Sequence, residues 1–403
     1  MRIAIIGSKG IPARSGGIER HVEELAVRLV KRGADVTVYG RSWYTGPVKK
    51  MHQGVRLMQT ASIKTKNLDA ITATFTATFA AMKENFDIYH FHGVGPALLS
   101  FIPRILRPNA KVVVTFHCID RKHQKWGILA RTMLKLGEWA ACRFAHKTIV
   151  VSKTLAHYVR EVYDTDAAYV PNGITPPKGK AGTKVLETLG LTRGHYVVML
   201  SRLVRHKGAH TLIEAWIKLK ESTENIDVMG LKLVIIGDGA FTDAYVEQLH
   251  AMAAGHKDIV LAGFRTGAEL ESLMANCAFA VHPSVSEGLP IAVLEEMAYG
   301  KAVLATDIPE HLEIIEGKGY TFRAGDVKDL MLQLHWMITH SRERVSTGMK
   351  AKLFVTTYYK WDDVSKETIR VYRETLGLKK AAPRVKKHAA ALPDFFREAA
   401  TEA

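Results

Sequence analysis

Two glutamates bracket the stretch Glu287-Gly-Leu-Pro-Ile-Ala-Val-Leu-Glu295. The apolar run at 279–282 just before them predicts a strand. Pro290 suits a first helical turn, so a helix is expected to begin just after Gly288 and to end at Gly300. Glu287 then sits in a strand-to-helix loop and Glu295 lies within the helix. The free N–H groups of Leu289 and Ile291, together with the helix dipole, form an anion site. A carboxylate on either side of such a site can accept hydrogen bonds from sugar or ribose hydroxyls. The plain alternative is a solvated helix with ordinary glutamates, and spacing alone does not choose.

A second loop has similar potential. Ser8-Lys-Gly-Ile-Pro-Ala-Arg-Ser-Gly-Gly17 follows an apolar run at 2–7 and opens a helix. Gly16 and Gly17 allow close backbone approach to a ligand, and the helix start favours phosphate. The loop is neither a dinucleotide fingerprint nor a P-loop. Two histidines, His92 and His117, close the apolar runs at 87–91 and 111–116. A lone histidine at a strand end is more often structural than catalytic. Asp164-Thr-Asp166 has the form of a metal clamp, yet it falls in a turn, where Asp serves local hydrogen bonding. Cys118, Cys142 and Cys277 fit no zinc spacing and no disulfide framework, and the histidines look scattered. No metal is expected, and a reducing compartment is implied.

The 403 residues are 47% hydrophobic and 24% charged, which excludes disorder and coiled coil as whole-chain readings. The net charge of +16 is uneven. Residues 1–175 hold 26 Lys and Arg against 12 Asp and Glu, while residues 176–372 hold 23 against 24. A basic half attracts nucleic acid, anionic lipid or phosphorylated substrates. No stretch reaches the ~20 apolar residues of a membrane span, and the N-terminus does not read as a signal peptide.

These loops need elements to hold them. Apolar runs at 2–7, 35–39, 87–91, 111–116 and 148–152 alternate with helical patterns, which predicts a parallel sheet covered on both faces. A closing strand and turn follow at 169–173. Pro176, Pro177, Gly179 and Gly182, among lysines, mark a linker. The alternation restarts with strands at 196–201, 232–236, 259–261, 279–282 and 302–305. The fold class is α/β: two Rossmann-like doubly wound domains facing across a cleft. Expected boundaries are a first domain 1–175, a second domain 176–357, a last helix 358–377 and a basic tail 378–403. Ligands of such sheets lie beyond the carboxyl ends of the strands, so the chemistry belongs in the loops after them.

Five motifs in register carry a resemblance. The E-x₇-E stretch resembles the signature of the retaining GT-B glycosyltransferases of family four, also called group 1. Ser201-Arg-Leu-Val-Arg-His-Lys-Gly208 resembles that family's G-R-L-x-x-x-K-G loop, and Val234-Ile-Ile-Gly-Asp-Gly239 its next strand end. Pro171-Asn-Gly-Ile174 resembles the interdomain P-N-G-[IV]. Ala298-Tyr-Gly-Lys-Ala-Val-Leu-Ala-Thr-Asp307 resembles A-x-G-x-P-V-x-A-[ST]-D, with Ala302 in place of Pro. The opening loop and Asp120-Arg-Lys-His-Gln-Lys-Trp-Gly127 resemble a bacterial subgroup that includes rhamnosyltransferases of surface-polysaccharide assembly.

The resemblance implies sugar transfer from a nucleotide-sugar to an acceptor hydroxyl with retention, in bacterial polysaccharide or glycolipid assembly. It implies that Arg202 and Lys207 hold the donor diphosphate. Fixed cations there stabilise the charge that builds as the sugar leaves. Glu295 would hold the ribose, and Glu287, with the backbone of Gly288, Leu289 and Ile291, the sugar. His117 would lie by the transferring sugar, with His92 shaping the acceptor pocket and Gly16 and Gly17 reaching toward donor and acceptor. No cofactor is implied beyond the donor as co-substrate. The acceptor would be a glycan or a phosphate-linked lipid. The location would be cytoplasmic, with contact at the inner membrane face. The helix at 129–144 mixes apolar side chains with Arg131, Lys135 and Arg143, which suits a membrane surface and a sheet-covering helix alike.

Two alternatives remain in view. A sugar-nucleotide epimerase keeps the fold and turns the donor over without an acceptor. A non-catalytic nucleic-acid binder would account for the +16 charge, yet aromatics are 8% and are not interleaved with Lys and Arg.

Overall fold

The computed structural model describes residues 1–46, 50–122, 126–177, 181–223, 228 and 230–378. The basic tail beyond 378 and the middle of the 120–127 segment therefore lie outside the described residues. One sheet contains β1 (Arg2–Ile6), β2 (Asp35–Arg41), β3 (Met51–His52), β4 (Val55–Thr60), β5 (Ile88–His92), β6 (Lys111–Phe116), β7 (Lys147–Val150) and β8 (Ala168–Tyr169). Its strand order is β3-β4-β2-β1-β5-β6-β7-β8. The other contains β9 (Tyr196–Leu200), β10 (Lys232–Ile236), β11 (Ile259–Gly263), β12 (Phe279–His282), β13 (Val303–Thr306) and β14 (Tyr320–Phe322), in the order β11-β10-β9-β12-β13-β14. Pairing is parallel throughout except between β3 and β4.

The central strands are apolar because both faces are covered: Ile3, Ala4, Ile5 and Ile6 are all fully buried. Each of the three isoleucines contributes roughly 1.5–3 kcal/mol on burial. The helices that matter for the site are α1 (Gly17–Lys31), α2 (Asp69–Ala81), α3 (Phe101–Leu106), α4 (Ile128–Arg143), α5 (Lys153–Tyr163), α6 (Ile291–Ala298) and α7 (Trp361–Thr375). In α1, Val22, Leu25, Ala26 and Leu29 recur at helical spacing and are buried, while Arg28 and Lys31 in its last turn suit the dipole. Ser152 caps α5 by accepting from the Leu155 N–H at 3.1 Å, so β7 ends before it rather than at it.

Right-handed crossovers sort the helices of the first sheet. The step from β1 to β2 runs one way across the sheet, and the steps from β4 through β5, β6 and β7 run the other. α1 therefore packs on one face, where α7 joins it, and Val22, Leu25, Trp361 and Val364 share one apolar cluster. Ala77 of α2, Ala141 of α4 and Leu155 of α5 belong to the cluster on the opposite face.

Three strands escape the sequence reading. β3 and β4 form a hairpin whose turn residues Gln53 and Gly54 both have positive φ, 47° and 84°. β4 is only partly buried and carries Arg56 and Gln59, so it shows no apolar run. β14 is three residues long.

The chain crosses between the sheets twice, and the two crossings touch. Ile174 forms a parallel bridge with Lys360 and donates its N–H to the Tyr359 carbonyl at 2.7 Å. A Cβ on Gly173 would lie 2.6 Å from the Trp361 nitrogen, so only glycine lets them meet. Beyond the second crossing, α7 returns to the first sheet. There Tyr372 Oη lies 2.6 Å from His90 Nδ1 on β5.

Candidate active site

The carboxyl ends of both sheets open on one cleft, and the loops singled out by sequence meet there. The loop before α1 is held rigidly. Lys9 N–H donates to Glu19 Oε1 at 3.0 Å and Ala13 N–H to Glu23 Oε2 at 2.9 Å. The Arg14 and Ser15 N–H groups donate to Tyr44 Oη at 2.6 and 2.8 Å. Gly16 caps α1 at φ 104°, a conformation that disfavours a side chain. Gly17, the first residue of α1, faces α6: a Cβ there would lie 4.0 Å from Ile291 Cδ1. Two helix N-termini from different sheets thus approach each other. α6 begins at Ile291 with Pro290 as its N-cap, two positions later than a start just after Gly288.

Gly288 makes the tightest seam. A Cβ there would lie 1.8 Å from the His117 carbonyl oxygen, so the loop after β12 rests on the end of β6. Beside it, Asn172 Nδ2 donates to the Leu289 carbonyl at 2.7 Å. That orientation leaves Asn172 Oδ1 to accept from His21 Nδ1, 2.8 Å away on α1. The sequence reading gives neither His21 nor Asn172 a role. The P-N-G motif was the available signal for Asn172; nothing local marked His21.

The histidines are not scattered, which corrects the sequence expectation. Parallel strands put His90, His92 and His117 side by side, and α1 adds His21. His92 Nδ1 and His117 Nε2 are 3.0 Å apart, and the rings of His21 and His117 meet edge-on at 4.8 Å. Burial holds His117 and His92 well below the usual imidazole range, and His21 at about 4, so all three are neutral at pH 7. Among the described residues, His21, His92 and His117 form the one group that could hold a metal ion, with ligand atoms within 4.8 Å of one another.

Charged side chains line the donor side. Lys207 sits in the short turn Arg205–Lys207 after β9, and its Nζ lies 2.5 Å from Glu287 Oε1. Burial alone would raise the Glu287 carboxyl, but the charge and hydrogen bond of Lys207 outweigh it and hold it at about 2. Arg202 makes no ion pair with any carboxylate among the described residues. Gly237 packs on this turn, since a Cβ there would meet the Ser201 carbonyl at 1.8 Å. Glu295 on α6 has Arg20 Nε of α1 at 3.7 Å. Burial pushes its carboxyl up to about 7, against the pull of Arg20.

Lys9 is a further residue that the sequence reading left inside its motif. Burial lowers its pKa, Glu19 opposes this, and the charge of Arg202 across the cleft lowers it further. Cations from both sheets therefore face one another. That arrangement is costly without an anion between them.

Asp164 and Asp166 lie elsewhere. Asp164 closes α5 in the left-handed conformation, φ 46°, and Asp166 is 89% exposed beside Lys147. Asp164→Ala with Asp166→Ala is expected to leave turnover within about twofold of the parent, because exposed turn residues contribute little. Steady-state kinetics check this, and loss of activity would place a metal clamp there.

Two mostly parallel sheets facing over a cleft, joined by a double crossing and closed by a helix that returns to the first sheet, define the GT-B architecture. Residues 15–177 match the family described as Glycosyltransferase Family 4, and residues 194–340 match Glycosyl transferases group 1. The chain belongs to these glycosyltransferases. It is 25% identical over 402 residues to an uncharacterized glycosyltransferase of Methanocaldococcus jannaschii, covering 93% of this chain and 98% of that one. It is also 25% identical to the GDP-mannose-dependent alpha-(1-6)-phosphatidylinositol monomannoside mannosyltransferase of Mycobacterium tuberculosis, over 91% of this chain and 96% of that one. Among solved structures, sucrose-phosphate synthase of Thermosynechococcus elongatus superposes with a TM-score of 0.79 at 19% identity, covering 93% of this chain and 99% of that one. Anabaena HepE in complex with UDP and glucose gives 0.76 at 18%, covering 93% and 100%.

Proposed function

We propose that this glycosyltransferase moves a hexosyl or deoxyhexosyl group from a nucleoside diphosphate sugar to a hydroxyl of a lipid-linked or glycan acceptor. Transfer is with retention and without a metal. The observation that carries this reading is the facing of Lys9 from one sheet and Arg202 from the other, with Lys207 five positions beyond Arg202, in the cleft where the N-termini of α1 and α6 also approach each other. Such a cluster suits a diphosphate. Residues 176–357 bind the donor and residues 1–175 the acceptor, and the second crossing and α7 couple the two.

In this reading Glu295 accepts hydrogen bonds from the ribose. Arg202 and Lys207 hold the diphosphate, with Lys9 approaching from the other side. The Glu287 carboxylate, kept ionised by Lys207, and the backbone around Gly288 and Leu289 orient the sugar. The bond from the anomeric carbon to the β-phosphate oxygen breaks, and the acceptor oxygen bonds to that carbon on the same face. The acceptor proton passes to the departing phosphate. The cations stabilise the charge that grows there, an interaction stronger in the transition state than in the ground state. Neutral His117, oriented by His92, is a hydrogen-bonding partner for the sugar rather than a charged acid.

A lipid-linked acceptor fits the M. tuberculosis relative, whose name specifies a phosphatidylinositol monomannoside, and the setting we propose is cytoplasmic. The resemblance of the opening loop to rhamnosyltransferases supports a deoxyhexose donor. The test is thermal denaturation with UDP, GDP, dTDP and ADP, each with and without EDTA. One nucleotide should raise Tm by several degrees at a hundredfold excess over Kd, a gain of about 2.7 kcal/mol, and EDTA should leave the shift unchanged. Silence toward all four would sink the proposal, and an EDTA-sensitive shift would sink its metal-free form.

A further inference from the structure

We infer that the outer face formed by α3 and α4 docks on an anionic lipid bilayer, a proposal that rests on the lipid-acceptor reading above. α4 turns its apolar stripe outward as well as inward. Ile128 and Leu129 are 84% and 77% exposed at its start, and Leu136 and Trp139 follow along the same helix at 46% each. Trp139 and Phe101 both contact the Phe144 ring, at 5.1 and 5.8 Å, which joins α4 to α3. There Ile105 and Leu106 are 67% and 55% exposed. Thr132, Lys135, Leu136 and Trp139 also line, with Tyr163, a shallow pocket of about 360 Å³. An apolar patch of this kind on a monomer marks an interaction surface.

Charge selects the occupant. α3 carries no acid, and the only acid of α4 is Glu138, fully buried and held by Arg121, Tyr158 and Tyr163. The bases Arg104, Arg131, Lys135 and Arg143 are exposed on the same two helices, with no carboxylate partner among the described residues. A second copy on a two-fold axis would set these cations against their own likeness. An anionic headgroup layer complements them while the aliphatic and indole groups enter the acyl boundary. Among the described residues no helix is long and apolar enough to cross a membrane, so the contact lies on the surface. α4 starts at the carboxyl end of β6, the end that carries His117. A bilayer on this face therefore meets the acceptor side of the cleft.

The test is co-sedimentation of the full chain with vesicles of phosphatidylglycerol and phosphatidylcholine. Binding should need phosphatidylglycerol and weaken as salt rises. Arg131→Glu with Lys135→Glu, and separately Ile128→Ser with Leu129→Ser, should each weaken it by about tenfold or more. The nucleotide-induced rise in Tm serves as the control for folding and should be unchanged. Absence of binding to phosphatidylglycerol vesicles, or equal binding by both variants, overturns docking and leaves the transferase reading intact. Self-association abolished by the same substitutions, without vesicle binding, also overturns it. Vesicle binding that persists where no nucleotide stabilises the chain upholds docking and sinks the transferase reading alone.

Discussion

Lys207→Ala and Arg202→Ala each lower kcat by about two to three orders of magnitude, the size expected when one fixed charge is withdrawn from a developing oxyanion. The two variants differ in stability. Lys207 is the partner of Glu287, whose side chain is 8% exposed. Its removal strands a buried carboxylate, a loss on the order of 3 kcal/mol or more. Arg202 has no such partner, so its removal reduces turnover with little change in Tm.

The pH dependence carries a definite sign. The folded carboxyl of Glu287 stands at about 2, below its ordinary value of 4.5. The stability it contributes is fully present above pH 4.5 and is lost as pH falls through about 2. Lys207→Ala forfeits that contribution, and Lys207→Ala combined with Glu287→Gln recovers stability but not turnover. Steady-state kinetics and thermal denaturation of the four proteins decide the matter. Wild-type kcat/KM in either single variant would remove these cations from the chemistry.

Donor affinity rises by about tenfold between pH 6 and pH 8, because the Glu295 carboxyl ionises near 7 and only the carboxylate can accept from both ribose hydroxyls. Binding below pH 7 releases a proton, which calorimetry in buffers of different ionisation enthalpy registers directly. Stability moves the other way. The folded value of about 7 lies above the ordinary 4.5, so the associated stability is present below pH 4.5 and is lost as pH rises through 7. The side chain is 26% exposed, which keeps the cost below the roughly 3 kcal/mol of a fully enclosed group. Glu295→Gln therefore raises Tm at pH 8 while weakening donor binding by about ten- to a hundredfold and flattening its pH profile. A pH-independent donor affinity in the parent would dismiss Glu295 as the ribose partner.

How the site could be read from sequence follows from how each part is built. Glu287, Glu295, Arg202 and Lys207 lie in two local motifs, each a strand end followed by a helix or turn. Local periodicity located the loop of Glu287 and Glu295, the family resemblance singled out Arg202 and Lys207, and the apolar runs located the central strands. The hairpin of β3 and β4 was missed because β3 is two residues long and β4, only partly buried beside that edge, keeps Arg56 and Gln59 where a fully buried strand would keep Val or Ile. His21 could not be found in this way. Its partner Asn172 is 151 residues distant, and Asn172 reaches a carbonyl a further 117 residues along. Such a chain of contacts exists only once both sheets are in place. Lys9 was visible as a residue, but its opposition to Arg202 is a property of the closed cleft.

The paired crossing at Ile174 and Lys360 has a mechanical consequence. A single linker would let the two halves swivel and twist freely about one point. Two backbones bonded side by side act as a strip hinge, compliant to bending across its width and stiff to torsion. Opening then follows one arc, and Lys9 retreats from Arg202 along a fixed path rather than wandering. The distance between them becomes a single coordinate that reports how far the enzyme is open.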